Sequence, residues 1–212
     1  MSAPDAAAIA AELRADGTRL GDIKARAKAI GKDHDLALRL WAGGEFHARL
    51  LAVLILDRTQ LTPELIESMA GDLAAHDAAQ RDAISDWLLA NQLMKSRKLG
   101  ALIDGWRGHE SPVLRRLYWY QQARRRWTGQ VPPPDSAELL DAIEAGIAGE
   151  APEVQWAMNF CAGWIGVHEA PLRARCVRLG ETSGLYRDEP VARNCTPNYL
   201  PEFIRIEVAK RA

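Results

Sequence analysis

Apolar residues recur along this chain at helical spacing, in runs of about a dozen residues ended by turn residues, and no run clearly alternates as a half-buried strand would. The one ambiguous stretch, 51–56, fits better inside a strongly apolar helix over 45–56. The pattern predicts helices over 6–15, 20–30, 34–41 and 45–56, then one opened by Thr62-Pro63-Glu64, then 77–93, 95–106 and 112–127. It continues with 135–147, a helix opened by Ala151-Pro152, then 172–179 and a last helix over 202–210. Asp33, Thr62 and Ser111 can accept hydrogen bonds from free first-turn N–H groups, and Pro63 and Pro112 fit where a missing N–H costs nothing. Alanine and leucine are abundant and β-branched residues sparse, which favours helix. Short helices joined by short turns, taken in pairs, predict an all-α solenoid of degenerate repeats with a concave groove.

The chain has 212 residues, 48% apolar and 26% charged, the make-up of a globular protein with a sizeable core. It reads as a single domain over 1–212. Within it TGQVPPPD, 128–135, is a stiff, extended linker, followed by a capping-box pattern from Asp135 and Glu138. No stretch is long and apolar enough to span a bilayer, and the N-terminus lacks a basic leader. Cys161, Cys176 and Cys195 are too widely spaced for a metal site or a disulfide frame. A cytoplasmic protein with no metal, no cofactor and no membrane partner is expected.

The formal net charge of -1 hides a segregation. Residues 91–130 hold nine Lys and Arg against two acids, whereas 131–170 hold seven acids and neither Lys nor Arg. A concentrated basic region steers polyanions even in a weakly acidic protein. Its centre is SPVLRRLYWYQQARRRW, 111–127. Leu114, Leu117 and Tyr118 form one apolar stripe, while Arg115, Trp119, Gln122 and Arg126 recur at i, i+4, i+7 and i+11 on another face. Guanidinium groups interleaved with a large ring suit a phosphate backbone and its sugars or bases. Arg115 and Arg116 read as phosphate contacts or as ion pairs with an acid of a neighbouring helix. Trp119 reads as a groove-lining ring or a core residue. Successive Arg124, Arg125 and Arg126 spread around the helix and cannot all meet one ligand. Lys95, Arg97 and Arg126 join Arg115, Arg116 and Trp119 as the candidate nucleic-acid contacts.

Several stretches carry a resemblance. GDIKARAKAIGKDHDLALRLW followed by EFHARLLAVLI resembles the N-terminal part of the AlkD-like DNA alkylation repair proteins. PEVQWAMNFCAGWIG followed by LYRDEPVARNCTPNYLP resembles the C-terminal part of a bacterial subgroup of that family. The likeness runs from about Leu20 to Phe203, carried by the order and joint presence of the motifs. It implies a superhelix of HEAT-like (ARM-type) repeats holding double-stranded DNA. It also implies kinship with monofunctional DNA glycosylases of base excision repair. These release positively charged alkylated purines, such as 3-methyladenine and 7-methylguanine, with neither metal nor cofactor. An N-alkylated purine is already a good leaving group, so such an enzyme mainly stabilises a cationic sugar and places a water.

The family's cleft uses a tryptophan, an aspartate four residues later, an arginine on a later helix and a second tryptophan. In AAHDAAQRD, His76 stands at the first tryptophan and Gln80 at the aspartate. The arginine is Arg115 or Arg116, and Phe160 in AMNFC stands at the second tryptophan. A neutral glutamine cannot balance a developing sugar cation as a carboxylate does. Asp77, about 100° around the helix from His76, and Asp82 are the nearby candidate acids. His76 also reads as a cap or surface histidine, Phe160 as core filler, Cys195 as a packed tail residue, and Trp156 and Trp164, eight apart, as core. The expectation is a DNA-binding protein of alkylation repair with impaired or altered glycosylase activity. The other reading is an inactive helical-repeat adaptor that binds a protein or structured nucleic acid in its groove.

Overall fold

A computed structural model describes residues 5–14, 17–127 and 134–211, and all regular structure among them is helical. Contacts divide the chain into two compact units, Met1–Trp106 and Arg107–Ala212.

The first unit holds α1 (Ala6–Leu13), α2 (Leu20–Ile30), α3 (His34–Ala42), α4 (Phe46–Ile55), α5 (Pro63–Asp72), α6 (Ala78–Asn91) and α7 (Arg97–Asp104). The starts follow side-chain chemistry. Asp33 accepts from Leu36 N at 2.9 Å, Thr62 from Leu65 N at 3.2 Å and Ser96 from Leu99 N at 3.4 Å. Apolar nearly all round, α4 is the centre, packed by α2, α3 and α6 with Leu50, Leu51, Val53 and Ile55 wholly buried. Its buried Arg49 is held by carbonyls: Nε donates to Trp41 O at 3.1 Å and Nη1 to Asp72 O at 2.9 Å. Gln92 Nε2 donates to Val53 O at 2.6 Å and Leu56 O at 3.3 Å, which satisfies carbonyls freed at the end of α4.

The second unit holds α8 (Pro112–Trp127), α9 (Ser136–Gly146), α10 (Pro152–His168), α11 (Ala170–Ser183) and α12 (Leu200–Ala209). α8 and α10 pack against each other more extensively than any other pair. α12 lies so close to α10 and α11 that only glycine fits beneath it. A Cβ at Gly166 would fall 2.6 Å from Ile204 Cδ1, and one at Gly180 2.6 Å from Leu200 Cβ. α11 runs beyond the expected 172–179 until Gly184, in the left-handed region at φ 63°, ends it. The expected capping box at Asp135 does not form. Its side chain caps nothing and pairs with Arg126 instead. Most of the expected linker, 128–133, lies outside the described residues. Among the described residues no helix is long and apolar enough to cross a membrane.

Candidate nucleic-acid interface

α8 is buried on nearly every side, and this corrects the reading of its Arg115–Trp119–Gln122–Arg126 face as a groove wall. Trp119 is 2% exposed, set edge-on to Tyr118 with ring centroids 5.1 Å apart, so it is a core residue. Arg126 is 3% exposed. Its Nη2 donates to Asp135 Oδ1 at 3.1 Å and Ser136 Oγ at 2.6 Å, its Nη1 to Gln122 O at 3.0 Å, and Glu169 lies 3.5 Å from Nε. Ser136 Oγ in turn donates to Glu169. A guanidinium so enclosed cannot reach a phosphate.

Arg115 forms the ion pair that was the other reading of it. Nε and Nη2 grip Glu150, at 3.0 Å to Oε1 and 2.8 Å to Oε2, and Nη1 donates to His109 O at 2.7 Å and Glu110 O at 2.9 Å. It ties the start of α8 to the turn before α10. Arg116 is 3% exposed, with its guanidinium 5.3 Å from the Tyr120 ring and 5.2 Å from the Trp156 ring. The arginine pair therefore serves the interior of the second unit rather than a phosphate backbone.

Arg116 belongs to a ladder of rings and cations. Arg116, Tyr120, Arg124 and Trp127 succeed one another along α8, and Trp156, Phe160, Trp164 and His168 along α10, each step about one helical turn. Trp156 and Phe160 stack at 5.0 Å, Tyr120 approaches Phe160 at 5.8 Å, and Trp127 stacks on Trp164 at 6.2 Å with planes 22° apart. Arg124 lies over both Tyr120 and Trp127, and Arg211 over Trp164 at 4.8 Å. Phe160 sits mid-ladder, half-buried, between its two readings. Glu207 anchors Arg211: burial pushes its carboxyl up, but hydrogen bonds from Lys210, Arg211 and Thr196 outweigh this and hold it at about 2. Cys161 and Cys176 are free thiols that burial pushes up to about 12, so neither is a nucleophile near neutral pH.

In the first unit His76 and Gln80 do come together. His76 Nδ1 lies 2.8 Å from Gln80 Oε1, so the ring donates to the amide oxygen. Phe46 stands edge-on to His76 at 6.4 Å. Gln80 also borders a 210 Å³ cavity with Glu45, Phe46 and His47. Asp77 is not an acid at this site. It is the N-cap of α6, accepting from Gln80 N at 2.9 Å. Asp82 lies 3.6 Å from Arg81. The pair can hydrogen-bond a ligand, but no carboxylate stands where Gln80 does.

Lys95 and Arg97 are exposed, as is Lys98, and among the described residues no ion pair engages them. Lys95 and Lys98 border a cavity of about 350 Å³ at the start of α7, together with Arg58, Thr59 and Ser96. Arg58 donates to Lys95 O at 3.3 Å and Asn91 O at 3.4 Å, fixing the turn that presents both lysines. Lys98 was counted in the basic stretch but not among the candidate contacts, and Arg58 was passed over because only the fold sets it beside Lys95. Among the described residues no group of three or more His, Cys, Asp or Glu is placed to hold a metal.

A family model described as "DNA alkylation repair enzyme" matches residues 5–166. None of the curated proteins gives a match. Among solved structures, the chain is similar to a member of "a new family of proteins related to the HEAT-like repeat DNA glycosylases with affinity for branched DNA structures". The TM-score is 0.69 at 19% identity, over 92% of this chain and 82% of that one. The likeness is one of fold, and it gives this chain the all-α HEAT-like repeat architecture.

Proposed function

The chain belongs to the DNA alkylation repair enzyme family, and from that membership we propose that it is a DNA-binding protein of alkylation repair whose base-excision chemistry is impaired. The observation that carries this reading is the cationic cavity at the start of α7. Lys95 and Lys98 flank the N-terminal end of a helix, where free N–H groups and the helix dipole already favour an anion. A phosphodiester of duplex DNA has the charge and size for that place. Neutralising it releases counterions, which makes affinity fall as salt rises.

The chemistry expected of the family is release of positively charged alkylated purines. Gln80, bound to His76, supports a cleft that can orient a sugar or a water. It supplies no charge to a cationic sugar, so release of 7-methylguanine is slow. The free thiols suit a reducing cytoplasm.

The test is purified protein with methylated duplex, measured for binding over a range of salt and for base release. Salt-sensitive binding with little release is expected. Absent binding overturns the role, and rapid release overturns the impairment. The inward-turned Arg115, Arg116 and Arg126 favour a second reading, an inactive adaptor for a protein or structured nucleic acid. Partner binding that ignores salt, with no duplex affinity, would select it.

A further inference from the structure

The ladder between α8 and α10 ends in an anomaly. Along α8 its first ring, Tyr120, is buried, whereas Trp127 is 43% exposed at the last turn of the helix. A single exposed apolar residue is ordinary on a protein surface. This one differs because its ring is held in place. Trp164, 3% exposed, stacks on it with planes 22° apart, and Phe160 meets it edge-on at 6.0 Å. The Arg124 guanidinium lies 5.3 Å from its centre. Behind it the ladder continues through His168, exposed and stacked on Trp164 at 5.6 Å, and Arg211 over the same indole. An ordered, exposed indole with a guanidinium beside it has what an unpaired nucleotide needs: a flat face for the base and a cation for its phosphate. A base inside a duplex offers no free face, so an exposed ring of this kind suits an unpaired base rather than a paired one.

We infer that Trp127 with Arg124 is a stacking seat for an unpaired nucleobase of DNA, occupied when the protein meets a fork or other interruption of the duplex. The inference rests on the DNA-binding reading and specifies which part of a DNA substrate the second unit takes. The base stacks on the exposed indole, and Arg124 moves from the ring to the adjoining phosphate.

The experiment compares affinities for a blunt duplex and for a forked duplex of equal length with unpaired arms, using the full chain and its Trp127→Ala and Trp127→Phe variants. The expected result is tighter binding of the fork by the unaltered protein. That preference should fall on the order of 10-fold in Trp127→Ala, and most of it should remain in Trp127→Phe. Duplex affinity should be unchanged in both. A fork preference unaltered in Trp127→Ala, or absent from the unaltered protein while duplex binds, overturns the seat and leaves the DNA-binding role standing. Binding to neither probe overturns both. A second readout needs no variant: 2-aminopurine at the unpaired position should be quenched on binding, and undiminished fluorescence in the bound complex overturns the seat.

Discussion

The two basic stretches of this chain use their charge in opposite ways. α8, with five arginines, turns Arg116 and Arg126 inward and locks Arg115 onto Glu150. The start of α7 presents Lys95, Arg97 and Lys98 to solvent, with a cavity between the two lysines. The contrast follows from the side chains. A planar, weakly hydrated guanidinium stacks on rings and forks onto carboxylates, so it can be buried among Tyr120, Trp156 and Glu150 at modest cost. A compact, strongly hydrated ammonium stays in water, where a phosphate can find it. Density of positive charge along a sequence is therefore a poor guide to which cations a polyanion could reach. What matters is whether the rest of the fold has already supplied the counter-charge.

The largest way to break this contrast is through Arg126. Arg126→Ala leaves Asp135 and Glu169 without their partner and should lower stability by about 3 kcal/mol in urea unfolding. A loss under about 1 kcal/mol would mean the buried arginine is not structural. Next is acid. The folded-state value of Glu207, about 2, lies below its ordinary 4.5. The stability it contributes is thus present above pH 4.5 and lost as pH falls toward 2. Glu207→Gln should flatten stability over that window, and an unchanged acid profile would refute the hold of Lys210, Arg211 and Thr196 on this carboxylate. Arg115→Ala should cost about 2 kcal/mol, through the lost bidentate pair, and leave duplex affinity alone. A variant that stays stable but loses DNA would restore Arg115 as a phosphate contact. The smallest effect expected is in chemistry. Gln80→Glu keeps the reach to His76 and adds the missing charge, so 7-methylguanine release should rise about tenfold, about 1.4 kcal/mol in the barrier. No gain would show that more than one charge separates this cleft from an active one.

Local chemistry was readable in the letters. Asp33, Thr62 and the prolines at 63, 112 and 152 mark helix starts that the structure keeps, because a cap or a first-turn proline acts within one turn. The continuous apolar pattern of α4 announced a buried helix. What failed was partnership across the chain. Asp135 and Glu138 have the spacing of a capping box, but Arg126 takes the Asp135 carboxylate, and no local pattern reveals a competitor nine residues away. Arg115 and Arg126 share a face by spacing, yet whether that face meets water or the rest of the second unit depends on residues far along the chain. The site was legible as residue types and not as roles. His76 and Gln80 meet through a hydrogen bond, whereas Asp77 is consumed by a cap that only the start of α6 explains. Trp127 was visible as the end of an aromatic, basic run, and its exposure was not.

The most direct test is the salt dependence of duplex binding for the unaltered protein, for Lys95→Ala with Lys98→Ala, and for Arg115→Ala. Each phosphate contact contributes about 0.9 to the slope of log affinity against log salt. Removing the two lysines should reduce that slope by about 1.8, while Arg115→Ala leaves it as it was. A slope that survives loss of the lysines and falls with Arg115 would contradict the assignment of the phosphate grip to α7.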